Sequence, residues 1–338
     1  MTTTRSIAAV LAALVVHTAG ATTYRVTAMP AYVGDDWPSI NRSSQVAATQ
    51  AEPNEDRRAY VWNAGQLTFL GTLGGDTVAR GINRHGEVVG LSYVDDLHFH
   101  AFFWAGHEVQ DIGTLGGSTS VATAINSRRE ISGYSRRTDG QTHAFARRQG
   151  VMTDLGTLGG RYSYGAAINE AGHVVGVSAA AAGPDRAFLH DGSSMLDLGA
   201  APPSGWSRAN ALNDADDVVG ASGPGQFDPY RATLFKAGQV IDLGTLGGAY
   251  SEALAINRQG HIVGWSTGSG SHGPGRTTKA FLYRDGQMIS LNQRLDPVTG
   301  AGWLLRAATD INDRGEIVGW GHHDGVVSVF LLTPMRAP

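Results

Sequence analysis

The chain has 338 residues, 26 Lys and Arg against 30 Asp and Glu for a net charge of -4, 42% apolar residues and no cysteine. An acidic balance with no basic cluster argues against nucleic acid as a partner, since phosphate binding needs concentrated Lys and Arg. Without cysteine there are no disulfides, no thiolate catalysis and no Cys-ligated zinc, so an apolar core alone must hold the fold.

Residues 1–21 have the form of a secretory signal: Arg5, an apolar stretch from Ile7 to Val16, then Ala19-Gly20-Ala21 as a small-residue cleavage site. That stretch is too short to span a bilayer, so the product is expected to be secreted or periplasmic, with no membrane span after cleavage. Loss of Arg5 leaves 25 basic and 30 acidic residues, net -5. Residues 22–338 are expected to form one domain, because they carry a repeat whose units share a continuous core.

Thr23 to Met29 reads as a lone strand resembling Gln149 to Leu155, a segment that ends a repeat unit. After it comes a marker, Ile-Asn or Leu-Asn followed by a turn and Val-Val-Gly or its equivalent, with asparagines at Asn41, Asn83, Asn126, Asn169, Asn213, Asn257 and Asn312. The intervals are 42, 43, 43, 44, 44 and 55 residues. Between markers stands Leu-Gly-Thr-Leu-Gly-Gly, ending at Gly75, Gly160 and Gly248, and with Ile at its head ending at Gly117.

The unit from Arg161 to Gly205 resolves by period-2 alternation into four short strands: A, Gly165–Asn169; B, His173–Ser178; C, Arg186–His190; D, Met195–Gly199. Asn-x-x-Gly between A and B suits a type I turn. Strand A carries small residues four and two places before its Asn, such as Ala79 and Gly81 or Ala253 and Ala255. Small side chains on alternate residues mark the strand most crowded by its neighbours, so A is placed nearest a central axis. Four antiparallel strands per ~40 to 45 residues, seven times over, predict an all-β fold, a seven-bladed β-propeller. The last unit has strands A, B and C but no D, so Thr23–Met29 is expected to supply it and close the ring against the region Val329 to Leu332.

Asp-Leu-Gly-Thr-Leu-Gly-Gly, then Ala-x-Ala-Ile-Asn-x-x-Gly-x-Val-Val-Gly, then His100-Ala-Phe102 and His143-Ala-Phe145, together resemble the HAF family of probable extracellular repeats. The likeness covers essentially the whole chain after the signal and implies export and repetition, without an activity or catalytic residues. Two units depart from it: Leu198 to Pro203 and Leu291 to Leu295 stand where the hexapeptide is expected.

In such a ring the A–B and C–D turns share one face, short and uniform, while the variable B–C loops and the D–A loops share the other, which is where a binding surface belongs. Seven residues before the marker, successive units carry Tyr162, Trp206 and Tyr250, and Trp37 and Trp303 flank them. These rings suit stacking on sugars or aromatic ligands, and suit equally the filling of wedges between blades, the commoner use of large aromatics. The residue before Ala-Phe varies among His, Arg, Lys and Ser, which reads as a surface polar position. His98, His100, Asp95 and Asp96 form the one cluster that invites a metal test. The acidic turns at Asn213–Asp217 and Asp310–Glu316 match no EF-hand. The Gly-Gly doublets lack the helix and the Lys-Ser/Thr of a phosphate cradle, and no cofactor signature or Gly-x-Ser-x-Gly elbow is present. The expected function is an exported, non-enzymatic binding module for a glycan or protein on its loop-rich face. A carbohydrate-active lyase or hydrolase at the channel mouth is the alternative.

Overall fold

A computed structural model describes residues 22–29, 37–51, 56–269 and 278–335. The expected export signal, residues 1–21, lies outside the described residues. So do Asp36 and parts of the first and sixth B–C loops. Among the described residues no helix is long and apolar enough to cross a membrane.

The chain forms seven four-stranded antiparallel sheets, a seven-bladed β-propeller. Six blades run A-B-C-D in chain order, from Ser39–Phe69 in blade 1 to Gly247–Ser290 in blade 6. Blade 7 takes A, B and C from Trp303–Ile311, Ile317–His323 and Val326–Met335, and its fourth strand from Thr23–Met29. The pairing runs from Thr23 opposite Met335 to Met29 opposite Val329, and it buries Tyr24, Val26 and Met29.

The 55-residue interval has a structural cause. Residues 291–302, which replace the hexapeptide, run along the outer edge of the closing strand. Tyr24 N donates to Arg294 O at 2.8 Å, Asp296 N donates to Tyr24 O at 2.8 Å, and Val26 N donates to Thr299 Oγ1 at 3.1 Å. The first half of the edge strand thus has outward backbone groups covered.

Each motif answers to one contact. The Val-Val-Gly glycine lies against the Phe of strand C: a Cβ on Gly90 would sit 1.9 Å from Val78 O and 2.9 Å from the Phe102 ring. The hexapeptide Thr closes a knot, with Thr114 Oγ1 donating to Gly117 O at 2.9 Å and accepting from Gly116 N at 3.1 Å. Gly116 has φ 95°, a left-handed conformation that glycine adopts without strain, where the chain passes between blades. In blade 4 strand A starts at Gly159, inside the hexapeptide and earlier than its alternation suggests.

The residue before Ala-Phe is more than a surface group. His100 Nδ1 and His143 Nδ1 lie 2.7 and 2.8 Å from Asp111 and Asp154 of their own strand D, and Arg186 lies 3.4 Å from Asp197. In blade 1 strand D carries Phe69 at that place, and the Arg58 guanidinium lies over its ring at 4.7 Å. In these four blades the position is a clamp between strands C and D.

Candidate binding channel

Strand A lines the axis in every blade, and the marker asparagines close one end of it. Each buried Asn side chain accepts from the turn behind it and donates to the next blade. Asn126 Oδ1 accepts from Arg128 N and Glu130 N at 2.9 and 3.0 Å, and its Nδ2 donates to Asn169 O at 3.0 Å. The same bond links Asn41 to Asn83, Asn83 to Asn126, Asn169 to Asn213, Asn213 to Asn257, Asn257 to Asn312 and Asn312 back to Asn41, a closed circuit. The turn reading of these residues accounts for one end of the amide, and the ring accounts for the other.

The fourth turn residue adds to this. Where it is not Gly, as at Ser44, Arg129 and Asp216 with φ 58° to 63°, its side chain reaches the preceding blade. Ser44 bonds Glu316 at 2.7 Å, Arg129 bonds Glu87 at 2.7 Å, and Asp216 meets His173 at 2.9 Å. Burial alone would raise Glu87, but the bonds from Arg129 and Asn83 outweigh it and hold the carboxyl below its ordinary range.

Inside the asparagine ring lies a second ring, Ile40, Ile82, Ile125, Ile168, Leu212, Ile256 and Ile311. Ile82, Ile125, Leu212 and Ile256 line both the small cavity at the asparagine mouth and a larger one of about 520 Å³ opening to the loop-rich face. The aliphatic ring therefore stands between the two.

The walls of the larger cavity come from a β-bulge repeated in strand A. In blades 2 to 7 the A–B register shifts between the residues four and two places before the Asn, as from Ala79 to Gly81. The extra residue, Arg80, Thr123, Ala166, Asn210, Leu254 or Thr309, lines the cavity, an orientation that bulges are used to produce. Two places before the Asn the expected small residues do crowd the axis: a Cβ on Gly81 would sit 3.1 Å from Ala124 Cα. Blades 1 and 7 instead place Ser39 and Asp310 there. Asp310 accepts Ile40 N and Ile311 N, both at 2.8 Å. Burial pushes its carboxyl up to about 6.

One register higher stand Val78, Val121, Tyr164, Arg208, Glu252 and Ala307. Arg208 forms an ion pair with the buried Glu252. Asn210 Nδ2 donates to Glu252 Oε1 at 2.7 Å and Ala253 O at 2.8 Å. Aromatic rings surround these charges. Tyr134 and Tyr164 meet edge to face at 5.0 Å, and Tyr164 contacts Tyr162 at 5.6 Å. Tyr230 packs against Trp206, Tyr250 and Trp265 at 5.5, 5.3 and 6.2 Å. Burial, then the charge of Glu252, pushes the Tyr230 hydroxyl up to about 12.

The five aromatic residues singled out in the sequence fall in different places. Trp37 lines the cavity and is 36% exposed. Trp206 is 4% exposed, beneath the Arg208 guanidinium at 5.6 Å. Tyr162 is half-buried and donates its hydroxyl to Asp185 at 2.7 Å; burial, then that carboxylate, pushes it up to about 12. Tyr250 packs in the wedge of Leu254, Trp265 and Ala307. Trp303 stacks on His323 at 4.8 Å and packs edge-on against Phe330. Sequence reasoning passed over Tyr134, Tyr164, Arg80 and Arg208. Their signal was variation at two registers of strand A and one of strand B, amid otherwise uniform Ala, Gly and Val.

His98 and His100 take separate partners, Asp95 at 2.7 Å and Asp111 at 2.7 Å. Among the described residues no three His, Asp or Glu side chains come together as metal ligands.

Solved structures resemble this fold. The β-propeller domain of the Trilobed protease from Pyrococcus furiosus, described as having an open velcro topology, aligns with TM-score 0.54 and 11% identity over 77% of this chain and 84% of that one. A puromycin-hydrolysing peptidase from Mycobacterium tuberculosis aligns with TM-score 0.59 and 14% identity over 89% of this chain. The Pyrococcus horikoshii acylaminoacyl peptidase gives 0.52 and 11% over 90%. The chain spans about half the length of these two peptidases, 52% in each case. At such identities the likeness is one of fold. No protein-family profile and no curated protein sequence matches the chain.

Proposed function

We propose that this chain is an exported binding module of the HAF-repeat type, without catalytic activity, that takes part of a glycan or protein ligand into the channel from the loop-rich face. The observation that carries the reading is the cavity of about 520 Å³. Its volume lies within the range of small-ligand sites, and there the repeat gives way to Trp37, Arg80, Tyr134, Arg208 and Glu252. Elsewhere on the axis the same strands present Ala, Gly, Ile and Asn. A glycan and peptide array probed with the chain tests this, followed by the same array with Trp37→Ala. Ligands held equally by both proteins would place binding elsewhere.

One feature of the cavity favours a second reading, a carbohydrate-active hydrolase or lyase. Glu252 and Asp310 both line the cavity, and a carboxyl raised to about 6 suits proton donation. Against it, Asp310 spends both oxygens on backbone N–H groups and Glu252 is committed to Arg208. Release of reducing ends from bound polysaccharide, abolished in Asp310→Asn, would establish the enzyme. Intact ligand after prolonged incubation would leave the binding module.

A further inference from the structure

We infer that the channel receives the end of an uncharged saccharide chain, entering end-on through the loop-rich mouth. The inference rests on the binding reading above and commits it to one ligand chemistry and one mode of entry.

The charged side chains around the cavity are Arg80, Arg208, Glu252 and Asp310, two of each sign, with Arg208 and Glu252 paired. A strongly anionic or cationic ligand meets no excess of opposite charge there and would have to break an existing pair to gain one. Two polar atoms on this wall, Ser39 Oγ and Arg208 Nε, are buried without a hydrogen-bond partner among the described residues. One is a hydroxyl that can donate or accept, the other a fixed N–H donor. Buried polar groups without partners are rare because they cost free energy; both residues line the cavity, so a small rotation of either side chain toward it lets an arriving hydroxyl supply the missing bond. A sugar hydroxyl both accepts and donates, so hydroxyls of one saccharide can answer either atom without carrying charge. Aromatic rings stand among the aliphatic lining. Trp37 and Tyr134 line the cavity, and Tyr164, 37% exposed, leans on Tyr134. Such rings match the C–H faces of a pyranose.

End-on entry follows from the floor. The aliphatic ring lies beneath the cavity, and the closed asparagine circuit lies beyond it. Neither offers a chain of hydroxyls partners of its own, and the asparagine amides are already engaged across the blades. A polymer can therefore present a terminus but cannot thread the disc or lie along the channel.

The test is a tryptophan-fluorescence titration of the full chain with maltohexaose, cellohexaose and mannohexaose, with long polymers of the same linkages, and with hexagalacturonate and a neutral Ala-Ser hexapeptide. At least one uncharged hexasaccharide should bind, with the same affinity per chain end in hexamer and polymer. Ser39→Ala removes a hydroxyl that has no partner in the unliganded protein, so it should weaken binding about fivefold at unchanged melting temperature. Trp37→Ala should weaken it about tenfold. Stronger binding of hexagalacturonate or the peptide, affinity that tracks total residues instead of ends, or no binding of any uncharged saccharide overturns the inference. In the first two cases, sensitivity to Ser39→Ala still leaves the channel as the site. Binding that neither variant affects overturns the site as well.

Discussion

At the asparagine mouth all seven blades present the same residue, and each side chain is engaged within its own turn and across to the next blade. At the loop-rich mouth of the same channel one register runs Val78, Val121, Tyr164, Arg208, Glu252 and Ala307, and buried polar atoms lack partners. The strand is the same strand, with the same bulge. The difference lies in whether its side chains answer one another in a closed circuit or only locally, as Arg208, Asn210 and Glu252 do, with other polar atoms left without partners. A repeated residue in a ring can be satisfied by its own copies, and that is a structural use. A residue that differs from copy to copy has no such circuit, and the variable mouth is where recognition can be built.

Both mouths exist only if the ring closes, so the largest effect belongs to the closing strand. Removing residues 22–29 deletes the backbone pairing to Val329–Met335 and the burial of Tyr24, Val26 and Met29. It also strands residues 291–302, whose partners are on that strand. Several backbone hydrogen bonds at about 1 kcal/mol each, with three large side chains, approach the ~5 to 15 kcal/mol stability of a whole domain. The truncated chain should lose its cooperative thermal transition. A native-like transition by circular dichroism would show that the ring holds without its N-terminus.

The asparagine mouth comes next. Asn126→Ala leaves Asn169 O without its side-chain partner in a buried setting, and Arg128 N and Glu130 N without theirs in a part-buried one. The expected loss is about 3 to 5 kcal/mol, measured by urea unfolding. Ligand affinity at the opposite mouth should be unchanged in whatever fraction stays folded. A loss under about 1 kcal/mol would mean that the circuit is geometric and carries little energy.

Much of the fold was legible in the sequence, and the part that was not has a physical reason. Blade count, strand order and closure follow from spacing and alternation, because each motif encodes a local contact: Gly90 under Phe102, Thr114 across to Gly117. The inter-blade half of the Asn126 amide was hidden because turn chemistry already explains an Asn at that place. The C–D clamp leaves a trace in the sequence as a paired pattern. His100, His143 and Arg186 each occur in a unit whose strand D carries Asp111, Asp154 or Asp197, and Arg58 occurs where that Asp is replaced by Phe69. The cavity lining was obscured by the bulge, which turns an extra residue toward the axis and breaks the alternation on which a strand is read.

Asp310 lies between the two mouths, and pH reports on it. Its folded pKa, about 6, is above the ordinary 3.8, so the folded state holds more protons than the unfolded state between those values. Stability should therefore fall as pH rises through this window, and rise as pH drops from about 6 toward 4. Asp310→Asn removes that dependence, whatever constant cost the lost backbone acceptor adds. Comparing wild type and variant by urea unfolding at pH 7 and 4.5 should give a difference of differences of up to about 2 kcal/mol. Identical offsets at both pH values would mean that the carboxyl is better solvated than its burial implies.

The smallest effect on stability is expected where the effect on binding is largest. Trp37 is 36% exposed at the loop-rich mouth and lines the cavity. Truncating a partly exposed ring forfeits only part of the roughly 3 to 5 kcal/mol that a buried tryptophan carries, so Trp37→Ala should cost no more than about 1 kcal/mol. Trp206→Ala, at 4% exposure, is the control within the same mouth and should cost about 3 kcal/mol or more. If the two variants lower the melting temperature equally, Trp37 is wedge packing and the variable mouth is built as the invariant one is. If only Trp206→Ala does, the exposed ring at the channel entrance is held in place by something other than its contribution to folding.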